Sequence, residues 1–185
     1  MTIVILVFVV GLINYKQQPV VLTSKYIQYK IGMFLMKTAR QDDMIFVDRF
    51  ENAANYLQLS VDKGLNDRTV FRDLFICYDM SQHDDKAEIT LDKAIEFYSA
   101  DFEFRYLRGE KRKELKKHRL AFEDFNTALT IDSTKNEKVY SAYYNRGAMK
   151  YILGDSLTAM QDWKTASKIA GRELRDYSDY CLVSR

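Results

Sequence analysis

The apolar residues from Lys25 onward recur every three or four positions, which is the spacing of an amphipathic helix. In residues 24–64 this pattern predicts two helices joined as a hairpin, and Gly64 stands where a left-handed residue can end the second one. The same spacing continues through residues 66–171, interrupted only by short polar stretches. With seven Gly and one Pro in 185 residues, the chain lacks the turn residues of a many-stranded fold. The pattern therefore predicts an all-α protein.

Small residues repeat at long range within residues 66–171. A pair of alanines seven positions apart occurs three times, with one large apolar residue between them each time: Ala87, Leu91 and Ala94; Ala121, Phe125 and Ala128; Ala159, Trp163 and Ala166. The two offsets are 34 (121 − 87) and 38 (159 − 121), and the additional length of the second falls in the polar stretch 134–137. Antiparallel helices approach closely only where side chains are small. The repeat therefore predicts three helical hairpins in tandem.

These residues resemble the tetratricopeptide repeat, a unit of about 34 residues with the pattern W-x2-L-G-x2-Y, then A-x3-F, then A and Pro. The third unit matches best, with Tyr143, Gly147, Leu153-Gly154-Asp155, Ala159, Trp163 and Ala166, and the second has Gly109, Ala121, Phe125 and Ala128. The first has Phe71, Leu74, Tyr78, Ala87 and Ala94, but Phe75 replaces its glycine. The resemblance implies a right-handed solenoid of antiparallel helical hairpins. It would comprise about three units at 66–171, a degenerate hairpin at 24–64 and a C-terminal cap helix at 172–185.

The N-terminal segment, residues 1–20, differs from the rest of the chain. Thr2 to Ile13 form an apolar run without charge, and Pro19 follows it. The run is shorter than the roughly 20 residues that span a bilayer, and its length is typical of the core of an export signal. No basic residue precedes it and no A-x-A cleavage pattern follows. We expect a membrane anchor or export signal, on a side of the membrane that the pattern leaves open; the alternative is a buried element of the folded domain.

Charge and motifs exclude several classes of function. The 28 Lys and Arg nearly balance the 26 Asp and Glu, giving a net charge of +2, so we expect no nucleic-acid partner. Two cysteines provide neither a disulfide framework nor a zinc site. The sequence contains no P-loop, G-x-G-x-x-G, H-E-x-x-H or G-x-S-x-G motif. We therefore expect no enzyme activity, no cofactor and no metal.

The resemblance implies that the first helix of each unit lines a concave groove for a protein or peptide partner. The positions that correspond are Arg72, Ile76, Tyr106, Glu110, Lys113, Tyr144, Ala148 and Tyr151. Tyrosine offers a broad contact surface with one polar group, so Tyr106 and Tyr144 are the expected anchors. Arg72, Glu110 and Lys113 would set specificity by charge, with Tyr151 completing the site. The Lys and Asn pair that some family members use to clamp a peptide carboxylate is not matched.

Two other functions compete with groove binding. The array could associate with itself as a structural subunit of a membrane-associated complex. Alternatively, the basic turn 111–119 could bind a membrane surface, because six of its nine residues are Lys or Arg. A solvated turn with cations at a helix C-terminus explains that run better, because no aromatic residues lie between the cations and the chain has no second basic patch.

Overall fold

Eight helices account for most of residues 24–39, 46–132 and 138–171, the part of the chain that the computed structural model describes. They are α1 (Lys25–Ala39), α2 (Phe46–Asp62), α3 (Arg68–Met80), α4 (Asp84–Phe97), α5 (Phe102–Glu114), α6 (His118–Ile131), α7 (Val139–Ile152) and α8 (Ser156–Ala170). No strand occurs in this part of the chain. The expected N-terminal segment 1–20 and the expected cap helix 172–185 lie outside it. The all-α fold predicted from the sequence is confirmed.

The described helices fall into two compact units, α1 to α3 and α4 to α8. The division falls between the two helices of the first predicted repeat, after His83. In that repeat Phe75 takes the place of the glycine, and its side chain is buried.

In the first unit, α1 and α2 form an antiparallel hairpin. At one end the Nζ of Lys25 donates a hydrogen bond to the carbonyl of Gly64 at 3.0 Å. At the other end the Nη1 of Arg49 donates to the carbonyl of Thr38 at 3.5 Å. The start of each helix therefore lies beside the end of the other.

Gly32 permits the close approach of these two helices. A Cβ atom at Gly32 would lie 2.7 Å from the Cγ of Leu57 and 3.2 Å from the carbonyl oxygen of Ala53. Both distances are shorter than ordinary van der Waals contact, so an alanine there would push the helices apart. Sequence analysis did not single out Gly32, although the structure gives it the role expected of the glycine in each repeat.

The third helix packs on α2 in the same unit. The hydroxyl of Tyr78 donates a hydrogen bond to the Oε1 of Gln58 at 3.3 Å, and the ring of Tyr78 lies edge-on to His83. Burial raises the pKa of Tyr78 to about 12, and the nearby Asp62 carboxylate and Cys77 add to the effect. This phenol is thus held in its neutral form far into the alkaline range.

The second unit contains two hairpins built as the repeat predicts. A Cβ atom at Gly109 would lie 2.8 Å from the ring of Phe125, and one at Gly147 would lie 2.7 Å from the indole of Trp163. All six repeated alanines are fully buried: Ala87, Ala94, Ala121, Ala128, Ala159 and Ala166. The small residues therefore mark crossing points, and an aromatic ring fills the space opposite each glycine.

Candidate partner-binding site

A polar ladder joins α5 to α7 in the second unit. The Nζ of Lys113 donates to the Oδ1 of Asn145 at 2.9 Å, and the Nδ2 of Asn145 donates to the Oε1 of Glu110 at 3.1 Å. Lys113 and Glu110 also lie 3.7 Å apart as an ion pair. The structure thus brings two of the predicted charged residues together, and both are half-buried. Asn145, which the sequence analysis did not name, links them.

Tyr106 is buried, with 6% of its surface exposed. Its ring stacks on Phe102 at 6.0 Å between centroids and lies 5.9 Å from Phe125, and the ammonium group of Lys138 lies 5.7 Å from its centroid. Burial, followed by the neighbouring Glu110 carboxylate, raises the pKa of Tyr106 well above its ordinary value. The expected exposed anchor is therefore a core residue, because Lys138 and the α7 helix cover the surface that a partner would need.

Tyr144 and Tyr151 lie on α7, and each keeps part of its surface exposed. They are seven positions apart, which places them on the same face of the helix. The Nε1 of Trp163 donates to the backbone carbonyl of Tyr144 at 3.1 Å, and the ring of Tyr151 lies 5.9 Å from that of Trp163. Ala148, expected between them in the groove, is fully buried. The tyrosine pair is thus positioned by the rigid α7–α8 hairpin.

The remaining predicted groove residues lie in the first unit. Arg72 and Ile76 are on α3 and partly exposed. The Nη2 of Arg72 is 3.7 Å from the Oδ1 of Asp73.

A buried carboxylate clamp holds the α5–α6 hairpin together. Asp124, which is 2% exposed, accepts hydrogen bonds from the Nη2 of Arg108 at 2.6 Å and from the Nη1 of Arg112 at 2.8 Å. Arg108 also donates to Asp92 of α4 at 2.6 Å, and Arg112 to Glu88 of α4 at 2.8 Å. Charge-assisted bonds of this kind are short and directional, so they fix α5 against both of its neighbours.

The clamp recurs in the last hairpin, at positions shifted by the same offset as the repeated alanines. Arg146 donates to both oxygens of Asp162, at 2.8 and 2.7 Å, and the Nζ of Lys150 lies 2.9 Å from the same carboxylate. Sequence analysis missed both clamps. The signal was an Arg directly before each repeat glycine and an Asp directly before each large aromatic residue.

Most cations of the basic turn 111–119 have acidic partners nearby. Lys111 is buried and pairs with Asp84 at 3.2 Å and with Glu114 at 2.6 Å. Lys117 pairs with Glu88 at 2.5 Å. Burial pushes the pKa of Glu88 upward, but the hydrogen bonds from Lys117 and Arg112 outweigh it and leave the pKa below its usual value. Lys116 and Arg119 are exposed, so the turn keeps part of its positive charge at the surface.

Groups of three or more His, Cys, Asp or Glu side chains placed to hold a metal ion are absent from the residues described. Among the same residues, no helix combines the length and the apolar character needed to cross a bilayer.

Solved structures resemble this chain closely in backbone. The MamA protein labelled AMB-1 superposes with a TM-score of 0.68 at 18% identity, over 95% of this chain and 87% of that one. MamA from Desulfovibrio magneticus RS-1 gives a TM-score of 0.63 at 14% identity, over 80% of this chain and 76% of that one. YrrB, described as "a TPR protein with an unusual peptide-binding site", gives a TM-score of 0.63 at 16% identity, over 78% of this chain and 68% of that one. The chain has a tetratricopeptide-like fold.

The tetratricopeptide-like chain matches no protein-family model and no curated protein sequence. At these identities the structural likeness establishes the fold, including the helical-hairpin solenoid expected from the repeat.

Proposed function

We propose that this protein is a non-catalytic interaction module that binds a peptide or a partner protein on the exposed face of α7. The observation that carries the proposal is the pair Tyr144 and Tyr151, which share one face of a helix and remain partly exposed. A rigid aromatic pair supplies contact area at low entropic cost. Of the two anchors expected from the sequence, Tyr144 keeps this role and Tyr151 takes the place of the buried Tyr106.

The polar ladder supports the same site. Glu110 and Lys113 are held by Asn145 beside α7, so their charges are fixed in place before a partner arrives. Such preorganisation lowers the ordering cost of binding. A partner that approaches α7 would meet one acidic and one basic group next to the tyrosines.

The role expected of Arg72 concerns the first unit and stays a separate prediction. YrrB shows that a fold of this kind can carry a peptide-binding site.

The test is a crosslinking capture experiment with the full chain. The wild type is compared with the Tyr144→Ala/Tyr151→Ala variant and with a matched control, Ile89→Ala/Leu120→Ala, which truncates two exposed apolar residues on α4 and α6. Each tyrosine truncation at a binding hot spot costs about 2 kcal/mol or more, so the double variant should lose most of a specific partner. The control should retain it. Circular dichroism must show the same helix content for all three.

Equal capture by the wild type and by the tyrosine variant would overturn the proposal.

Self-association is the second candidate, and it is favoured by a specific observation on the last hairpin. Leu153, Leu157 and Met160 are exposed there, Leu157 by 74%. If this face joins copies of the chain, light scattering should show a mass that rises with concentration and falls on Leu157→Lys substitution.

A further inference from the structure

The outer face of α1 is apolar and exposed. Ile27 is 42% and Phe34 is 49% exposed, and Ile31 and Leu35 are partly exposed beside them. These positions follow the helical spacing that places side chains on one face. The opposite face of α1, with Gly32 and Met36, is the one that packs on α2.

The equivalent positions in the other hairpins show what covers this face of a first helix elsewhere in the chain. Counted from the repeat glycine, the four residues of α1 correspond to Phe104, Arg108, Lys111 and Arg112 in α5, and to Ala142, Arg146, Met149 and Lys150 in α7. In α5 three of them pair with acidic residues of the preceding helix α4: Arg108 with Asp92, Lys111 with Asp84 and Arg112 with Glu88.

The apolar composition of this face excludes an acidic helix like α4 as the element that covers it. All four α1 positions are apolar, so none can pair with a carboxylate. The covering surface must instead accept apolar side chains.

Lysines and a tyrosine border the apolar face. Lys30 and Lys37 are exposed along one edge, Tyr26 is exposed beside them, and the Nζ of Lys25 lies 5.5 Å from the centroid of the Tyr26 ring. An apolar face with Phe, bordered by Lys and Tyr, is the composition of helices that lie in the headgroup region of a bilayer. The lysines would meet anionic headgroups while the apolar side chains enter the acyl boundary.

The chain that precedes α1 supplies the second argument. Thr2 to Ile13 form the uncharged run, and residues 14–23 connect it to α1. Ten extended residues reach at most about 35 Å, so insertion of the run would keep α1 near the bilayer. A segment that is apolar all round needs burial on every side, which a face of four residues does not provide.

We propose that α1 lies on an anionic lipid surface, with Ile27, Ile31, Phe34 and Leu35 at the headgroup–acyl boundary and Lys30 and Lys37 against the headgroups. The proposal does not depend on the partner site, because α1 belongs to the first unit and the tyrosine pair to the second.

The test places a single tryptophan on this face of the full chain. Trp163→Phe provides the background, because Phe125 occupies the equivalent position in the preceding hairpin. Phe34→Trp is then the reporter, and Ile89→Trp, at a residue 54% exposed on α4, is the matched control. Both variants are mixed with phosphatidylcholine–phosphatidylglycerol vesicles whose acyl chains are brominated, and tryptophan fluorescence is recorded.

We expect the brominated acyl chains to quench most of the fluorescence of the tryptophan at position 34 and little of the fluorescence of the one at position 89. Adding Ile27→Ser/Ile31→Ser should restore much of the fluorescence at position 34, while the run Thr2–Ile13 keeps the chain on the vesicles. Three outcomes overturn the proposal. The chain does not bind the vesicles; it binds them and the reporter at position 34 remains exposed to water; or that reporter is already shielded without lipid, which would mean that residues 1–23 or a second copy covers the face.

Discussion

Replacing Asp124 by Asn should destabilise the protein far more than any surface substitution. The carboxylate is 2% exposed and accepts bonds from Arg108 at 2.6 Å and Arg112 at 2.8 Å. Removing one partner of a buried ion pair costs about 3–5 kcal/mol, because the charges left behind are no longer compensated. Arg108 would retain Asp92 and Arg112 would retain Glu88, so we expect the lower end of that range, about 3 kcal/mol.

Asp92→Asn is the matched control for this prediction. It changes the same chemical group and removes a bond of the same length, 2.6 Å, from the same arginine. Its side chain is 45% exposed, however, and exposed ion pairs contribute at most about 1 kcal/mol. The two variants therefore separate the effect of burial from the effect of bond geometry.

Urea denaturation of the full chain, followed by circular dichroism, measures the difference. With a slope of about 2 kcal/mol/M, Asp124→Asn should lower the unfolding midpoint by about 1.5 M and Asp92→Asn by less than about 0.5 M. Equal shifts in the two variants would refute the assignment of the buried clamp as the main electrostatic support of α5.

Three further substitutions test packing and pH dependence. Gly109→Ala should lower the melting temperature, because overpacking against Phe125 costs about 1–3 kcal/mol and exceeds the gain of about 1 kcal/mol in helix propensity; adding Phe125→Leu should recover part of the loss. The pKa of Glu88 is lower in the folded protein than its unfolded value of about 4.3, so its contribution to stability is present above that pH and is lost as the pH falls through the folded pKa. Glu88→Gln should therefore make the free energy of unfolding less dependent on acid pH. The raised pKa of Tyr78 acts in the opposite direction: its contribution to stability is present below about pH 10 and is lost as the pH rises towards about 12. The Tyr78→Phe variant should therefore keep its helix content to higher pH in an alkaline titration.

The repeat was predictable because its signal is steric and local. Gly109, Ala121 and Phe125 stand at fixed spacing in the second unit, and the third unit keeps that spacing. The α1–α2 hairpin uses the same packing, but the stretch of chain from Gly32 to Ala53 is longer than the stretch from Gly109 to Ala121. The longer connection hid the correspondence.

The site was less predictable than the fold, because exposure depends on what neighbouring helices cover. Tyr106 and Tyr144 occupy the same repeat position, yet the residues of α7 cover Tyr106 while Tyr144 stays partly open. The pairing of the basic turn with Asp84 and Glu88 likewise depends on side chains that are distant in the chain. Composition alone could not show which cations of the turn are paired.

The two carboxylate clamps differ in a way that bears on how such an array can lengthen. Arg146, Lys150 and Asp162 all belong to the α7–α8 hairpin, so the ion pairs of that clamp lie within one hairpin; its bond to the preceding helix, from Arg146 to Asn126, joins a neutral side chain. In the clamp of α5 and α6, Arg108 and Arg112 share Asp124 and also pair with Asp92 and Glu88 of α4, the helix before it. A duplication of residues 139–171 would therefore carry every ion pair of its clamp into the new location. A copy of α5 and α6 moved elsewhere would keep Asp124 but lose the ion pairs from Arg108 to Asp92 and from Arg112 to Glu88.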